Sequence, residues 1–266
     1  RYGFDAAILF SDILIVPDAL GQGVRFVEGE GPRLDAIKDQ AGLAVLRPDA
    51  TQTKFARIAE TVARLRQDLP KQTALIGFCG APWTVATYMI GGEGSSDQAA
   101  ARLFAYRDPS GFQKLIDIII NASFEYLSLQ INAGADTLQI FDSWAGSLAD
   151  TEFDKWVIAP NKAIVSKIRA RHPSVPIIGF PRGAGTRMLE FVEKTGVSGV
   201  SCDTALPLPI MSGALADRTV VQGNLDPMRL VAGGPGLDAR VHAIIAALKD
   251  RPHIFNLGHG VVPDTP

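Results

Sequence analysis

Apolar residues along this chain gather into short runs that end in a small or polar residue, and stretches of helical spacing separate the runs. Seven such runs read as strands, at residues 6–10, 74–78, 137–141, 176–180, 199–202, 219–222 and 253–257. Helical spacing falls at 98–106, 109–132, 161–171, 187–195, 209–215 and 237–249, several with Pro in the first turn. The order is therefore βαβα. The strands are apolar along their whole length rather than alternating, which predicts a parallel sheet covered on both faces. Gly21, Gly23, Gly29 and Gly31 make the stretch after the first strand loop-like, and 91–96 reads as a second flexible segment. Gly233-Gly234-Pro235-Gly236 reads as a helix-start turn rather than a hinge.

A doubly wound sheet and a closed barrel both fit this pattern, and two features favour the barrel. Closure of a (β/α)8 barrel takes eight strands and typically about 250 residues. Here seven strands occur in a chain that opens Arg1-Tyr2-Gly3-Phe4-Asp5, with no Met, and enters a strand at once. The expectation is one domain over 1–266 whose first strand unit is absent from the chain. In addition, several strands hand over to polar or glycine-rich segments, whereas a doubly wound sheet concentrates its site at one switch point.

Composition narrows the function classes. The 266 residues are 47% hydrophobic and 20% charged, with a net charge of −2, which argues against a partner that is a nucleic-acid backbone or an acidic membrane surface. A small anionic ligand is still allowed. The most apolar stretch, 115–131, is interrupted by Asp117, Asn121, Ser123, Glu125 and Gln130, so no membrane span is expected. Cys79 and Cys202 are the two cysteines, and no signal or transit pattern opens the chain. The expected location is cytoplasmic.

Chemistry in parallel α/β folds lies at the C-terminal ends of strands. Those ends carry Phe10-Ser11-Asp12, Phe78-Cys79-Gly80-Ala81-Pro82-Trp83, Phe141-Asp142-Ser143-Trp144, Phe180-Pro181-Arg182-Gly183, Cys202-Asp203-Thr204, Gln222-Gly223-Asn224 and Asn256-Leu257-Gly258-His259-Gly260. Four consecutive ends carry Phe, either as barrel packing or as the apolar wall of a pocket for a ring system. Asp12 sits amid apolar neighbours, where a carboxylate is costly unless donors satisfy it. It reads as a site carboxylate, with an N-cap or a polar partner as the bland alternative. His259, between two glycines, can face a cavity or serve structurally. Ser143 offers a hydroxyl for a ligand carboxylate, without a G-x-S-x-G elbow. Arg182 is either a carboxylate partner or a surface residue. The cysteines are isolated and no H-E-x-x-H occurs, so no metal site and no cofactor are expected; nucleotide-binding loops are missing as well.

Six segments in register are similar to the uroporphyrinogen decarboxylase family. They are 10–14, Gly29-Glu30-Gly31-Pro32-Arg33, 77–84 with Thr87-Tyr88-Met89-Ile90, 141–146, 222–227 and 256–260. The resemblance implies a distorted (β/α)8 barrel, a homodimer with facing clefts, and cofactor-free removal of the four acetate carboxyls of uroporphyrinogen III to give coproporphyrinogen III. It places the essential aspartate at Asp12, the active-site tyrosine at Tyr88, the substrate-contacting serine at Ser143 and the C-terminal histidine at His259. Asp12 and Tyr88 are thus the expected catalytic residues, and all four are expected to bind substrate. The family's R-Q-A-G-R segment would precede Arg1, and Thr204 stands where many members carry Trp. A zinc-dependent corrinoid methyltransferase of the same superfamily and a non-catalytic tetrapyrrole binder are the alternatives. The first needs a His/Cys zinc set that the strand ends do not offer.

Overall fold

The computed structural model describes residues 3–27, 31–215 and 218–265, so Gly29 and Glu30 of the second motif lie outside the described residues. Nine strands follow in chain order: β1 (Ala6–Ile8), β2 (Val24–Val27), β3 (Gly31–Leu34), β4 (Ala74–Gly80), β5 (Thr137–Asp142), β6 (Ile177–Pro181), β7 (Gly199–Ser201), β8 (Val220–Gln222) and β9 (His253–Ile254). Each of the seven expected strands is present. They form one sheet in the order β1-β4-β5-β6-β7-β8-β9, and every pair in it is parallel. Sequential order with no reversal leaves no switch point, which removes the doubly wound alternative.

The sequence reading missed the antiparallel hairpin β2–β3, which occupies the stretch taken as a loop. Gly21 and Gly23 precede β2 and Gly31 opens β3. The helix Gln52–Asp68 was also missed, although Phe55, Ile58, Val62 and Leu65 make a helical stripe and Phe55 and Val62 are fully buried. The helix Pro109–Asn132 falls where the periodicity placed it, and Gly234 does begin a helix, Gly234–Leu248.

Parity along the strands decides what each side chain meets. Leu138, Ile140, Ile177, Val200 and Val221 face outward into a core shared with Phe112, Leu115, Ile116 and Ile119 of the helix Pro109–Asn132. Burying each such side chain is worth about 1.5–3 kcal/mol. On the inner face, Gln222 Nε2 donates to Gln139 Oε1 at 3.2 Å and lies 3.1 Å from Ser201 Oγ. Gln139 is on β5 and Gln222 on β8, with β6 and β7 between them. Side chains on strands with two others between them can meet only across the concave face of a curled sheet. The structure is thus a mixed α/β fold built on a curled, seven-stranded parallel sheet.

Both edge strands carry exposed apolar residues. Phe4, Ile8 and Phe10 beside β1 are 74%, 43% and 79% exposed, and Ile254 and Phe255 at β9 are 40% and 43% exposed.

Candidate active site

The four expected site residues all lie at or beyond the C-terminal ends of the sheet strands: Asp12 after β1, Tyr88 in the helix Pro82–Gly91 after β4, Ser143 after β5 and His259 after β9. Asp12, Tyr88 and Ser143 are half-buried and His259 is exposed. Among the described residues no hydrogen bond joins any two of them. They share the C-terminal end of the sheet without forming a contact cluster, and of the four Asp12 alone borders the cavity described next.

Asp12 borders a cavity of about 200 Å³ lined also by Ser11, Leu14, Ile15, Asp18 and Ile58, with Val24 and Phe26 of the hairpin. Its Oδ1 accepts from the backbone N–H of Leu14 at 2.9 Å, and the short helix Ile15–Ala19 follows. That backbone bond is part of the bland reading of Asp12, but it uses one oxygen. The surroundings are less apolar than the sequence suggested, because Asp18 shares the cavity and is itself paired with Lys54. Beneath the turn, the hydroxyls of Ser11 and Tyr126 are 2.6 Å apart and buried. Tyr126 packs on Phe55 with ring centroids 4.8 Å apart. The segment carrying Asp12 is therefore tied to two core helices.

The four phenylalanines do come together as a wall. Ring centroids are 5.7 Å apart for Phe10 and Phe78, 4.9 Å for Phe78 and Phe141, and 5.9 Å for Phe141 and Phe180. Such spacing suits tilted and edge-to-face aromatic contact. Phe78 and Phe180 are buried, while Phe10 ends the row in solvent.

Asp142 is the residue whose role the sequence did not disclose. It precedes Ser143 but turns to the helix side, where it is buried. Thr84 Oγ1 donates to its Oδ1 at 2.6 Å and Asn161 Nδ2 approaches its Oδ2 at 3.3 Å. Thr84 also accepts the backbone N–H of Trp144 at 3.2 Å. One turn along the helix from Thr84 is Tyr88, so this cluster fixes the Ser143 loop against the Tyr88 helix. Burial pushes the Asp142 carboxyl up to about 7, and the bonds from Thr84 and Asn161 offset only part of that. Parity was the available signal, since Leu138 and Ile140 share its outward face.

The remaining strand ends are stitched to one another. Gly146 N–H donates to Arg182 O at 2.9 Å, Gly183 N–H to Asp203 Oδ2 at 2.7 Å, and Asn224 Nδ2 to Asp203 O at 2.9 Å. A side chain at Gly146 would stand 2.6 Å from Gly183 O, and Gly183 has φ +75°, so glycine is required at this crossing. His259 has its imidazole held below the ordinary range by partial desolvation and by the positive charge of Arg182. The two cysteines are buried, with thiols pushed up to about 12 by that burial, and Cys79 and Cys202 both belong to the helix-side core. Among the described residues no three His, Cys, Asp or Glu side chains gather as a metal ion would need.

The family model described as uroporphyrinogen decarboxylase matches residues 1–266. A uroporphyrinogen decarboxylase from Mesorhizobium japonicum is 55% identical over 266 residues, covering 100% of this chain and 77% of that protein. One from Rhizorhabdus wittichii is 53% identical with the same coverage. Among solved structures, a methyltransferase from Methanosarcina mazei superposes with a TM-score of 0.81 over 99% of this chain and 77% of its own. At 18% identity that likeness shows the fold alone. No helix among the described residues is long and apolar enough to cross a membrane.

Proposed function

The chain belongs to the uroporphyrinogen decarboxylase family and is a carboxy-lyase, and we propose that Asp12 is the residue on which removal of the four acetate carboxyls of uroporphyrinogen turns. Breaking the bond between an acetate methylene and its carboxylate leaves an electron pair on carbon. Protonating the pyrrole ring first gives that pair a destination, so the substrate carries its own electron sink. Carbon dioxide departs, the ring takes the electrons, and the methylene then gains a proton to become methyl while the ring loses one.

The enzyme's task is to favour the cationic pyrrole. Asp12 at its cavity, with one oxygen held by Leu14 N–H, can turn the other to the inward pyrrole N–H groups and stabilise the charge as it develops. Tyr88 positions an acetate or passes a proton, and Ser143 and His259 hold peripheral carboxylates. The row of Phe10, Phe78, Phe141 and Phe180 supplies an apolar wall for the macrocycle. In this reading an eighth strand, outside this chain, closes the barrel between β1 and β9, and the enzyme works as a cytoplasmic homodimer with facing clefts. The exposed apolar residues of both edge strands support the first point.

The observation that carries the assignment of Asp12 is its placement, half-exposed on a cavity at the first strand end with its turn anchored through Ser11 to Tyr126. The test is anaerobic turnover of uroporphyrinogen III with EDTA present, following the heptacarboxylate to tetracarboxylate products. Asp12→Asn is expected to lower kcat by about 10²-fold or more. Near-normal turnover by that variant would sink the central role, and a silent parent protein would favour a binding function instead.

A further inference from the structure

The proposed substrate carries eight carboxylates, four acetates and four propionates, yet the four placed residues bring no positive charge to meet them. Asp12 is an acid, Tyr88 and Ser143 are uncharged, and His259 is held toward its neutral form. Three cations at or near the hairpin are already engaged: Arg25 with Asp35, Lys54 with Asp18 and Arg33 with Glu93. Arg182 differs from these. It is half-buried at the end of β6, and its guanidinium has no hydrogen bond or ion pair among the described residues.

Its place is set by the end of the strand. Arg182 follows Phe180 and Pro181 directly, and its N–H is shared between Phe180 O and Asp142 O, both at 3.1 Å, where the chain turns out of β6. The bond to Asp142 O sets Arg182 beside Ser143 in the next segment. On the other side its charge acts on His259, although β7 and β8 separate β6 from the segment that carries this histidine. The loop that carries His259 folds back onto the end of β7, where a side chain at Gly258 would stand 2.5 Å from Thr204 N, and Asp203 beside it accepts from Gly183 N–H, so Arg182 and His259 share this part of the strand-end rim. A half-buried, unpaired guanidinium there loses hydration without a protein anion to replace it, which is the condition of a side chain built to receive one from a ligand.

We propose that Arg182 is a substrate-binding residue that takes a carboxylate of uroporphyrinogen in a charge-assisted hydrogen bond at the strand-end rim, between Ser143 and His259. The proposal rests on the decarboxylase reading and deepens it, since it names a cation that the matched motifs do not assign.

Steady-state kinetics with uroporphyrinogen III on the protein at its relatives' full length, in the parent and in Arg182→Met and Arg182→Lys, test it. Loss of a charge-assisted bond is expected to raise KM about 10-fold or more in Arg182→Met with kcat within about threefold of the parent. Arg182→Lys should recover part of the loss, and added salt should narrow the gap between parent and Met variant. An unchanged KM in Arg182→Met beside normal parent turnover overturns the proposal and leaves the decarboxylase reading intact. Equal losses in the Met and Lys variants together with a lowered Tm assign Arg182 to the scaffold and overturn it as well. A silent parent removes the decarboxylase reading, and this inference falls with it.

Discussion

Asp142 shows how little separates a site residue from its support. It and Ser143 are neighbours in sequence, but opposite parity sends one into the core and the other to the strand-end rim. The buried carboxyl titrates at about 7, well above the ordinary carboxylate value near 4. The folded state therefore favours its protonated form. The stability this gives is fully present below about pH 4 and is lost as pH rises through about 7, on the order of 4 kcal/mol at most. Urea denaturation between pH 4 and 8 should show the parent losing stability relative to Asp142→Asn across that window. Parallel curves would mean that the carboxyl is ionised throughout. The same lesson applies to Asp12, whose Leu14 N–H contact is what a capping residue would make, and whose second oxygen is what a site residue needs.

The helix Pro82–Gly91 does two jobs. Its outward residues, Trp83, Val85, Ala86 and Met89, are fully buried in the core, while Thr84 holds the Ser143 loop and Tyr88 follows one turn further along. Thr84→Val keeps the size of the side chain but removes a donor to a buried carboxyl and an acceptor for Trp144 N–H. A buried polar group left unmatched costs about 1–3 kcal/mol. We expect Thr84→Val to lower unfolding stability by that amount and to reduce kcat/KM as the Ser143 loop loosens, with Thr84→Ser restoring both. Loss of stability with kcat/KM unchanged would confine this cluster to the scaffold. The hairpin β2–β3 is a second dual element, because Val24 and Phe26 line the Asp12 cavity while Leu34 N–H bonds to Gly92 O at 2.8 Å, at the end of the Tyr88 helix.

At the scale of the molecule, the outer edges of β1 and β9 carry no strand partner among the described residues, and exposed apolar side chains gather beside both. Unpaired edges of this kind invite pairing with another strand. If an eighth strand closes the barrel between them, the amides of residues 6–8 and 253–254 that point away from β4 and β8 will exchange hydrogen rapidly in this chain. In a protein extended to the length of its relatives they will be strongly protected. Equal exchange rates in the two proteins would rule out closure at that seam.

The sequence by itself determined the class of fold and the position of nearly every sheet strand, because strands buried on both faces must be apolar along their length and helices must interrupt them. It also determined the candidates Asp12, Tyr88, Ser143 and His259, whose motifs stand in register over the whole chain. It did not show the hairpin β2–β3, where two strands of four residues each are too short to establish a period among the glycines around them. Nor did it reveal that Asp142 is a buried hub or that the Arg182 side chain has no partner among the described residues. Only the tertiary structure decided these points. The curl that brings Gln139 to Gln222, the Phe row across four strand ends and the reach of Arg182 toward His259 all depend on residues far apart in the chain. Local pattern fixes which face a side chain takes, whereas what it meets there is set by how the sheet closes on itself.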